Sequence, residues 1–227
     1  MTPPVSLVVF DIGGVLVRIA RSWSEACAAA GVPARGPGDD EGAWARRRRP
    51  VEDYESGRID HATFIAGIVE SEEGRYTAAE VEQVHAAWIL EEFPGVLALV
   101  DGLHAAGLET GILSNTNDAH WRRQLLGASA TTRFPALQRV RHPHASHLLG
   151  VRKPAPEIYE RMAARTGHAP ARTLFFDDLP DNVAAARAAG WRAERVDPLG
   201  DPAAEMAAFL ARHGVHVETP ARRPGGA

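Results

Sequence analysis

Cysteine is nearly absent from this chain: Cys27 stands alone among 227 residues. No intrachain disulfide can form, so the fold must rest on its core. Long apolar runs are also missing. The longest one near the start is Leu7-Val8-Val9-Phe10, far too short for a signal core or a spanning helix. The two absences together set the expected location as the cytosol. No charge of one sign dominates. The net charge is −4 with a pI near 6.2, which excludes a general binder of nucleic acid or membrane surface. The glycine pair Gly13-Gly14 is not followed by the later glycines of a GxGxxG dinucleotide fingerprint, and no internal repeat is visible.

Against these absences, apolar residues make up 45% of the chain, ample for one large domain or a core domain with a small insert. Residues 5–10 read as a short buried strand. From residue 22 to residue 88 the pattern turns helical, with no convincing strand. Ser22 or Ser24 is placed to cap a helix ending at Gly31, Asp60 to cap one carrying Phe64, Ile65, Ile68 and Val69, and Thr77 with Glu80 to form a capping box ahead of Val81, Val84, Trp88 and Ile89. After Pro94-Gly95 the rhythm alternates. Helices are expected over residues 95–106, 119–126, 156–165, 181–189 and 202–213, and strands over 108–113, 173–176 and 191–196, with a further short strand over 137–141. Alternation of this kind predicts a parallel sheet with helices on both faces. The tail, residues 219–227, is rich in Pro, Gly and Arg and is expected to be disordered.

Three of these strands end in polar groups: Asp11, then Ser114-Asn115, then Asp177-Asp178. Parallel strands bring such ends to one edge of the sheet, where α/β folds bind ligands. Crowded carboxylates repel one another, and a hard divalent cation such as Mg2+ removes the conflict. Phosphate becomes the natural substrate group, with Lys153 adding positive charge and Ser114 adding a donor. A carboxylate aimed at phosphorus is a nucleophile able to form an aspartyl-phosphate that water then hydrolyses. The expected partner is a small phosphorylated metabolite.

The ordered set Asp11-Ile12-Gly13-Gly14-Val15, Ser114-Asn115, Lys153-Pro154 and Asp177-Asp178 with Asn182 resembles the four motifs of the haloacid dehalogenase-like hydrolase superfamily. The likeness runs over residues 5–196, and its phrases are most similar to the alpha-D-glucose-1-phosphate phosphatase-like branch. It implies a Rossmann-like parallel sheet with a small all-helical cap inserted after the first strand. The expected division is a core of residues 1–17 and 92–218 with a cap of residues 18–91. The resemblance implies Asp11 as nucleophile and Mg2+ ligand, the Gly13 carbonyl and Asp178 as further metal ligands, and Ser114 and Lys153 as holders of the phosphoryl group, with Lys153 also steadying Asp11. Asn115 is implied as a donor on the phosphate side, and Asp177, Asp181 and Asn182 as supporting groups.

One position departs from that pattern. Phosphatases of the superfamily carry a second Asp where this chain has Gly13. Glycine keeps the metal-binding carbonyl and loses the acid/base, whose contribution is typically roughly 10²- to 10⁴-fold in rate. The expectation is slow turnover, a good leaving group, or a replacement from the cap, for which Asp53, Glu55 and His61 are the candidates. Two rival functions are set beside the phosphatase: a metal-independent 2-haloacid dehalogenase, which Asp177-Asp178 oppose by charge, and a catalytically weak binding domain. His142, His144 and His147 read as loop histidines rather than zinc ligands, Arg46 to Arg49 as a solvated helix face, and Trp23, Trp44 and Trp88 as cap packing.

Overall fold

The computed structural model describes residues 3–36, 41–125 and 133–217; the expected disordered tail lies outside them. The first strand, β1 (Leu7–Phe10), leads to a short β2 (Val17–Ile19). Four helices follow: α1 (Trp23–Ala30), α2 (Glu41–Glu55), α3 (His61–Ser71) and α4 (Ala78–Ala87). The chain then returns through β3 (Ile89–Glu92) and alternates: α5 (Val96–Ala105), β4 (Glu109–Ser114), α6 (Asp118–Leu125), α7 (Pro135–Arg139), β5 (His142–Ala145), α8 (Ser146–Leu149), α9 (Pro156–Thr166), β6 (Thr173–Asp177), α10 (Pro180–Ala188), β7 (Arg192–Arg195) and α11 (Pro202–Arg212). The main sheet has five strands in the order β5-β4-β1-β6-β7, with all of its pairings parallel.

All four residues of β1 are buried, as expected of a central parallel strand covered on both faces. Val8 and Phe10 face one apolar cluster, with Leu99, Leu103, Met206 and Leu210 from α5 and α11. Leu7 and Val9 face the other, with Tyr159, Met162 and Ala186 from α9 and α10. Asp11 therefore leaves the sheet at its centre, its N–H donating to Phe176 O at 2.9 Å. A third cluster belongs to the helical block and joins Trp23, Tyr54, Phe64, Ile68, Tyr76 and Val81.

Several caps match the sequence: Ser22 caps α1, Asp60 caps α3, and Thr77 with Glu80 forms the capping box of α4. Four expectations are corrected. Ile89 does not continue α4; it starts β3, which pairs antiparallel with β2 and closes the base of the helical block. Residues 135–139 are helical rather than extended. Pro135 occupies the first turn, where its missing N–H costs nothing, and Ala136 and Leu137 are buried. The strand falls one step later on His142–Ala145, at the sheet edge, where Pro143 is tolerated. The helix expected from residue 181 begins one residue earlier: Leu179 holds the cap position of α10 and Pro180 follows it. Arg47 does not belong to a solvated face. It is buried, pairs with Glu72 at 2.5 Å and lies over the Trp23 ring.

Candidate active site

The sheet's carboxyl edge brings Asp11, Ser114, Asp177 and Asp178 together through register alone: Phe10 is level with Ile112 on one side and Phe176 on the other. Lys153 enters from the segment before α9 and is 2% exposed. Its Nζ lies 3.0 Å from Asp11 Oδ1 and 2.6 Å from Asp177 Oδ2. Asp177 is saturated: Oδ1 also accepts from the Leu179 N–H and from Asn182 Nδ2, both at 2.9 Å. It supports Lys153 and the following loop. The Ile12 N–H donates to Asp11 Oδ1 at 2.7 Å, and the Ser114 hydroxyl is a further partner of that carboxylate. The Asn115 side chain is engaged with the backbone of Lys153, donating to its carbonyl at 2.9 Å and accepting from its N–H at 2.8 Å. Its amide thereby fixes the lysine's place.

The electrostatics favour a cation and an anion here. Burial raises the Asp11 pKa, against the pull of Lys153 and with help from Asp177. Burial works against the charge on Lys153, yet Asp11 and Asp177 hold its pKa above the ordinary value. Asp178 is pushed up to about 7 by burial first and by Asp11 and Asp177 next. Carboxylate oxygens of Asp11, Asp177 and Asp178 lie within 4.8 Å of one another. With both Asp177 oxygens taken up by Lys153, the Leu179 N–H and Asn182, Asp11 and Asp178 are the members of this group left to offer oxygens, a donor set that fits a hard cation such as Mg2+. Gly14 makes room for the Asp178 carboxylate. Its φ is +76°, and a Cβ there would stand 2.7 Å from Asp178 Oδ2, so both conformation and space require glycine.

Gly13 has a different neighbour. A Cβ on it would meet Ile19 Cδ1 at 2.8 Å. The place a second Asp would take is filled by the tip of a residue held on β2. Gly13→Asp alone therefore has to push Ile19 aside, a smaller demand than moving backbone. We expect Gly13→Asp combined with Ile19→Ala to raise kcat on esters of poorly departing alcohols by at least tenfold, towards the roughly 10²-fold or more of a positioned acid. Gly13→Asp alone should give less. Equal rates for wild type and the double variant, with unchanged thermal unfolding, would show that the acid is not what limits turnover.

Above this edge lies a cavity of about 230 Å³ between the sheet and the helical block. Gly13, Ser114 and Asn115 form its floor, and Trp23, Trp44, Phe64, Ile68, Val81 and Trp88 line its walls. All three tryptophans read as packing thus face one space, with Trp44 still 53% exposed. Of the three cap acid/base candidates, the structure brings only Glu55 to the cavity. Asp53 is spent on Arg58 and Arg49, and His61 on Tyr54 and Glu82. Glu55 ends α2. Burial raises its pKa, while Arg152, 2.7 Å away, opposes that and favours the ionised form. Its carbonyl accepts from Ser146 Oγ at 2.5 Å, which seats the end of α2 against the sheet edge.

His85 and His120 belong to none of the motifs read from the chain. Their rings stack at 3.9 Å in the cavity wall. His120 Nε2 donates to the His85 carbonyl at 2.8 Å, while Asn117 Oδ1 takes the His120 N–H at 3.0 Å. Burial lowers the pKa of His120 to about 4 and that of His85 well below its ordinary value. A depressed histidine is neutral in the fold and protonates more readily when unfolded. The contribution is complete above about pH 6.5 and disappears as pH falls to about 4, worth on the order of 3 kcal/mol for His120. Thermal unfolding from pH 7 to pH 4 should show this loss in the wild type and a flatter profile in His120→Gln. Parallel profiles would contradict it.

The parallel α/β sheet gathers acids, a buried lysine and a hydroxyl at its central carboxyl edge, the place where folds of this kind bind their ligands. The profile of the haloacid dehalogenase-like hydrolases matches residues 5–190, and the chain belongs to that family. It is 27% identical over 199 residues to Phosphatase MT3486 of Mycobacterium tuberculosis (strain CDC 1551 / Oshkosh), covering 86% of this chain and 89% of that protein. The fold is similar to a HAD family enzyme of Bacteroides thetaiotaomicron solved in complex with magnesium and inorganic phosphate, with TM-score 0.67, 21% identity and coverage of 87% of this chain and 96% of that one. It is also similar to a 2-haloacid dehalogenase of Pseudomonas syringae pv. Tomato DC3000, with TM-score 0.59, 19% identity and coverage of 92% and 99%. No helix among the described residues is long and apolar enough to cross a membrane.

Proposed function

We propose that this hydrolase is a Mg2+-dependent phosphomonoesterase acting through an aspartyl-phosphate on Asp11. The observation that carries the reading is the pairing of a buried ammonium, Lys153, with a carboxylate cluster whose free member, Asp178, is pushed up to about 7. Such a pocket has a place for a cation on one side and for an anion on the other. Asp11, the Gly13 carbonyl and Asp178 would hold the metal, which supplies charge neutralisation between the carboxylates and a phosphoryl group. Ser114 and Lys153 would hold the phosphoryl oxygens, with Asn115 keeping Lys153 in place. Residues 18–91 would act as a cap over the site. A relative named as a phosphatase and a similarly folded enzyme solved with magnesium and phosphate support the same reading.

The proposed chemistry runs in two displacements. Asp11 Oδ forms a bond to phosphorus as the ester P–O bond breaks, and the alcohol oxygen leaves with the electron pair. Water then adds to phosphorus, the P–Oδ bond breaks, and the water's proton passes to Glu55. Burial raises the affinity of Glu55 for a proton, against the pull of Arg152, so Glu55 is assigned to the second step as the base. Glu55→Gln should slow kcat by roughly 10²-fold or more while leaving a rapid first release of alcohol. A uniform fall in both phases would assign Glu55 to cap seating instead.

The dehalogenase reading fits less well. A haloacid brings its own carboxylate, and without a metal it would face Asp11, Asp177 and Asp178 together. The deciding assay follows phosphate release from p-nitrophenyl phosphate with Mg2+ or with EDTA. Release that needs the metal supports the phosphatase. Halide release from a 2-haloacid in EDTA supports the rival, and silence in both assays supports a binding domain.

A further inference from the structure

We infer that the organic part of the substrate is a small apolar ring, so that the natural ester is an aryl phosphate rather than a sugar phosphate. The inference rests on the phosphatase reading above and names the substrate class of the same site.

Two independent observations lead to it. The first is how the cavity's polar groups are already used. Tyr54 Oη accepts from the Ala119 N–H at 3.3 Å and bonds His61 Nδ1 at 3.0 Å. Arg47 is paired with Glu72, Glu55 with Arg152, and Asn117 with His120. Among the described side chains, His85 Nε2 is a buried ring nitrogen on this wall with no partner. As a fully buried atom it is closed to a substrate hydroxyl, and the Ser114 and Thr116 hydroxyls lie at the sheet edge rather than on the helical walls. A hexose buries several hydroxyls, each costing about 1–3 kcal/mol if left unpaired. The remaining surface is Trp23, Trp44, Phe64, Ile68, Val81 and Trp88, which suits the face and edge of an aromatic ring. At about 230 Å³ the space is also smaller than the roughly 300–1,000 Å³ of pockets for drug-sized ligands, which limits the occupant to a small ring system.

The second observation is the leaving group. Gly13 carries no acid, the room for one is filled by Ile19, and Glu55 is engaged by Arg152 at 2.7 Å. The departing oxygen then carries its negative charge with no acid at Gly13 to protonate it. A phenol, with a pKa of about 10 as in tyrosine, does this far better than an aliphatic alcohol. Wall chemistry and proton inventory thus select the same class.

The test compares phenyl phosphate, cyclohexylmethyl phosphate and glucose 1-phosphate as substrates in Mg2+ buffer, beside Asp11→Asn. Phenylphosphonate and methylphosphonate serve as inhibitors that cannot turn over. Phenyl phosphate should exceed glucose 1-phosphate at least 100-fold in kcat/KM. Phenylphosphonate should inhibit about 10- to 100-fold more tightly than methylphosphonate, the effect of burying one ring. Val81→Thr, which keeps the volume and adds a hydroxyl, should shrink that inhibitor ratio without changing inhibition by inorganic phosphate. Cyclohexylmethyl phosphate should bind like the phenyl ester and turn over slowly. Asp11-dependent release that favours glucose 1-phosphate, or equal inhibition by the two phosphonates, overturns the aryl assignment and leaves the phosphatase intact. Release from none of the esters overturns both.

Discussion

Asp11→Asn is expected to reduce metal-dependent phosphate release by on the order of 10⁴-fold or more, the scale seen when a covalent nucleophile is removed. The change keeps the shape and removes the negative charge that the proposed mechanism directs at phosphorus. Folding should survive it. Burial raises the Asp11 pKa, so the charged form is held at a cost, and an amide still accepts from the Ile12 N–H. Activity and stability are therefore expected to move in opposite directions, with the variant at least as resistant to thermal unfolding as the wild type. A variant that lost both together would mark Asp11 as a structural acid. One that kept turnover would remove it from the chemistry.

Lys153→Met is expected to damage both. The ammonium is buried between two carboxylates at 3.0 and 2.6 Å. Removing one partner from a buried charged group costs about 3–5 kcal/mol, because the remaining charges stay buried and unpaired. In denaturant unfolding the free energy of unfolding should fall by that amount, and activity should be lost with it. Adding Asp177→Asn should return part of the stability, since Asn182 and the Leu179 N–H still find an acceptor at that position. The cycle should show a coupling of about 0.5–3 kcal/mol. Activity should stay low in the double variant, since no ammonium faces Asp11. Strict additivity of the two stability changes would contradict the shared role of Lys153.

Much of this arrangement was legible in the chain itself. The run Leu7-Val8-Val9-Phe10, β-branched, short and closed by a glycine turn, reads as a buried strand, and the acid after it then falls at the sheet's ligand-binding edge. Ser114 and Asp177-Asp178 follow by the same reasoning, because parallel strands align their ends. Helix caps at Ser22, Asp60 and Thr77 were equally readable, since each uses a side chain to meet a backbone N–H three residues on. Tertiary placement was not. Glu55, Asp53 and His61 look equivalent as a list of cap acids and bases, and only the seating of the α2 end on Ser146 and Arg152 selects Glu55. Ile19 gives no hint that it fills the space beside Gly13. His85 and His120 lie 35 residues apart and meet only when α4 packs beside α6. Arg47 looks like one of four surface arginines until Glu72 and Trp23 are found beside it.

The central claim is that Asp11 becomes covalently phosphorylated. The most direct measurement is rapid acid quench during turnover of phenyl phosphate with Mg2+, followed by intact and peptide mass spectrometry and borohydride trapping. An aspartyl-phosphate mechanism predicts the added mass of one phosphoryl group on the peptide holding Asp11, reduced by borohydride to homoserine. The signal should be lost in EDTA and in Asp11→Asn, and should accumulate in Glu55→Gln. Full turnover by Glu55→Gln or wild type with no phosphoryl group on Asp11 at any quench time would contradict it.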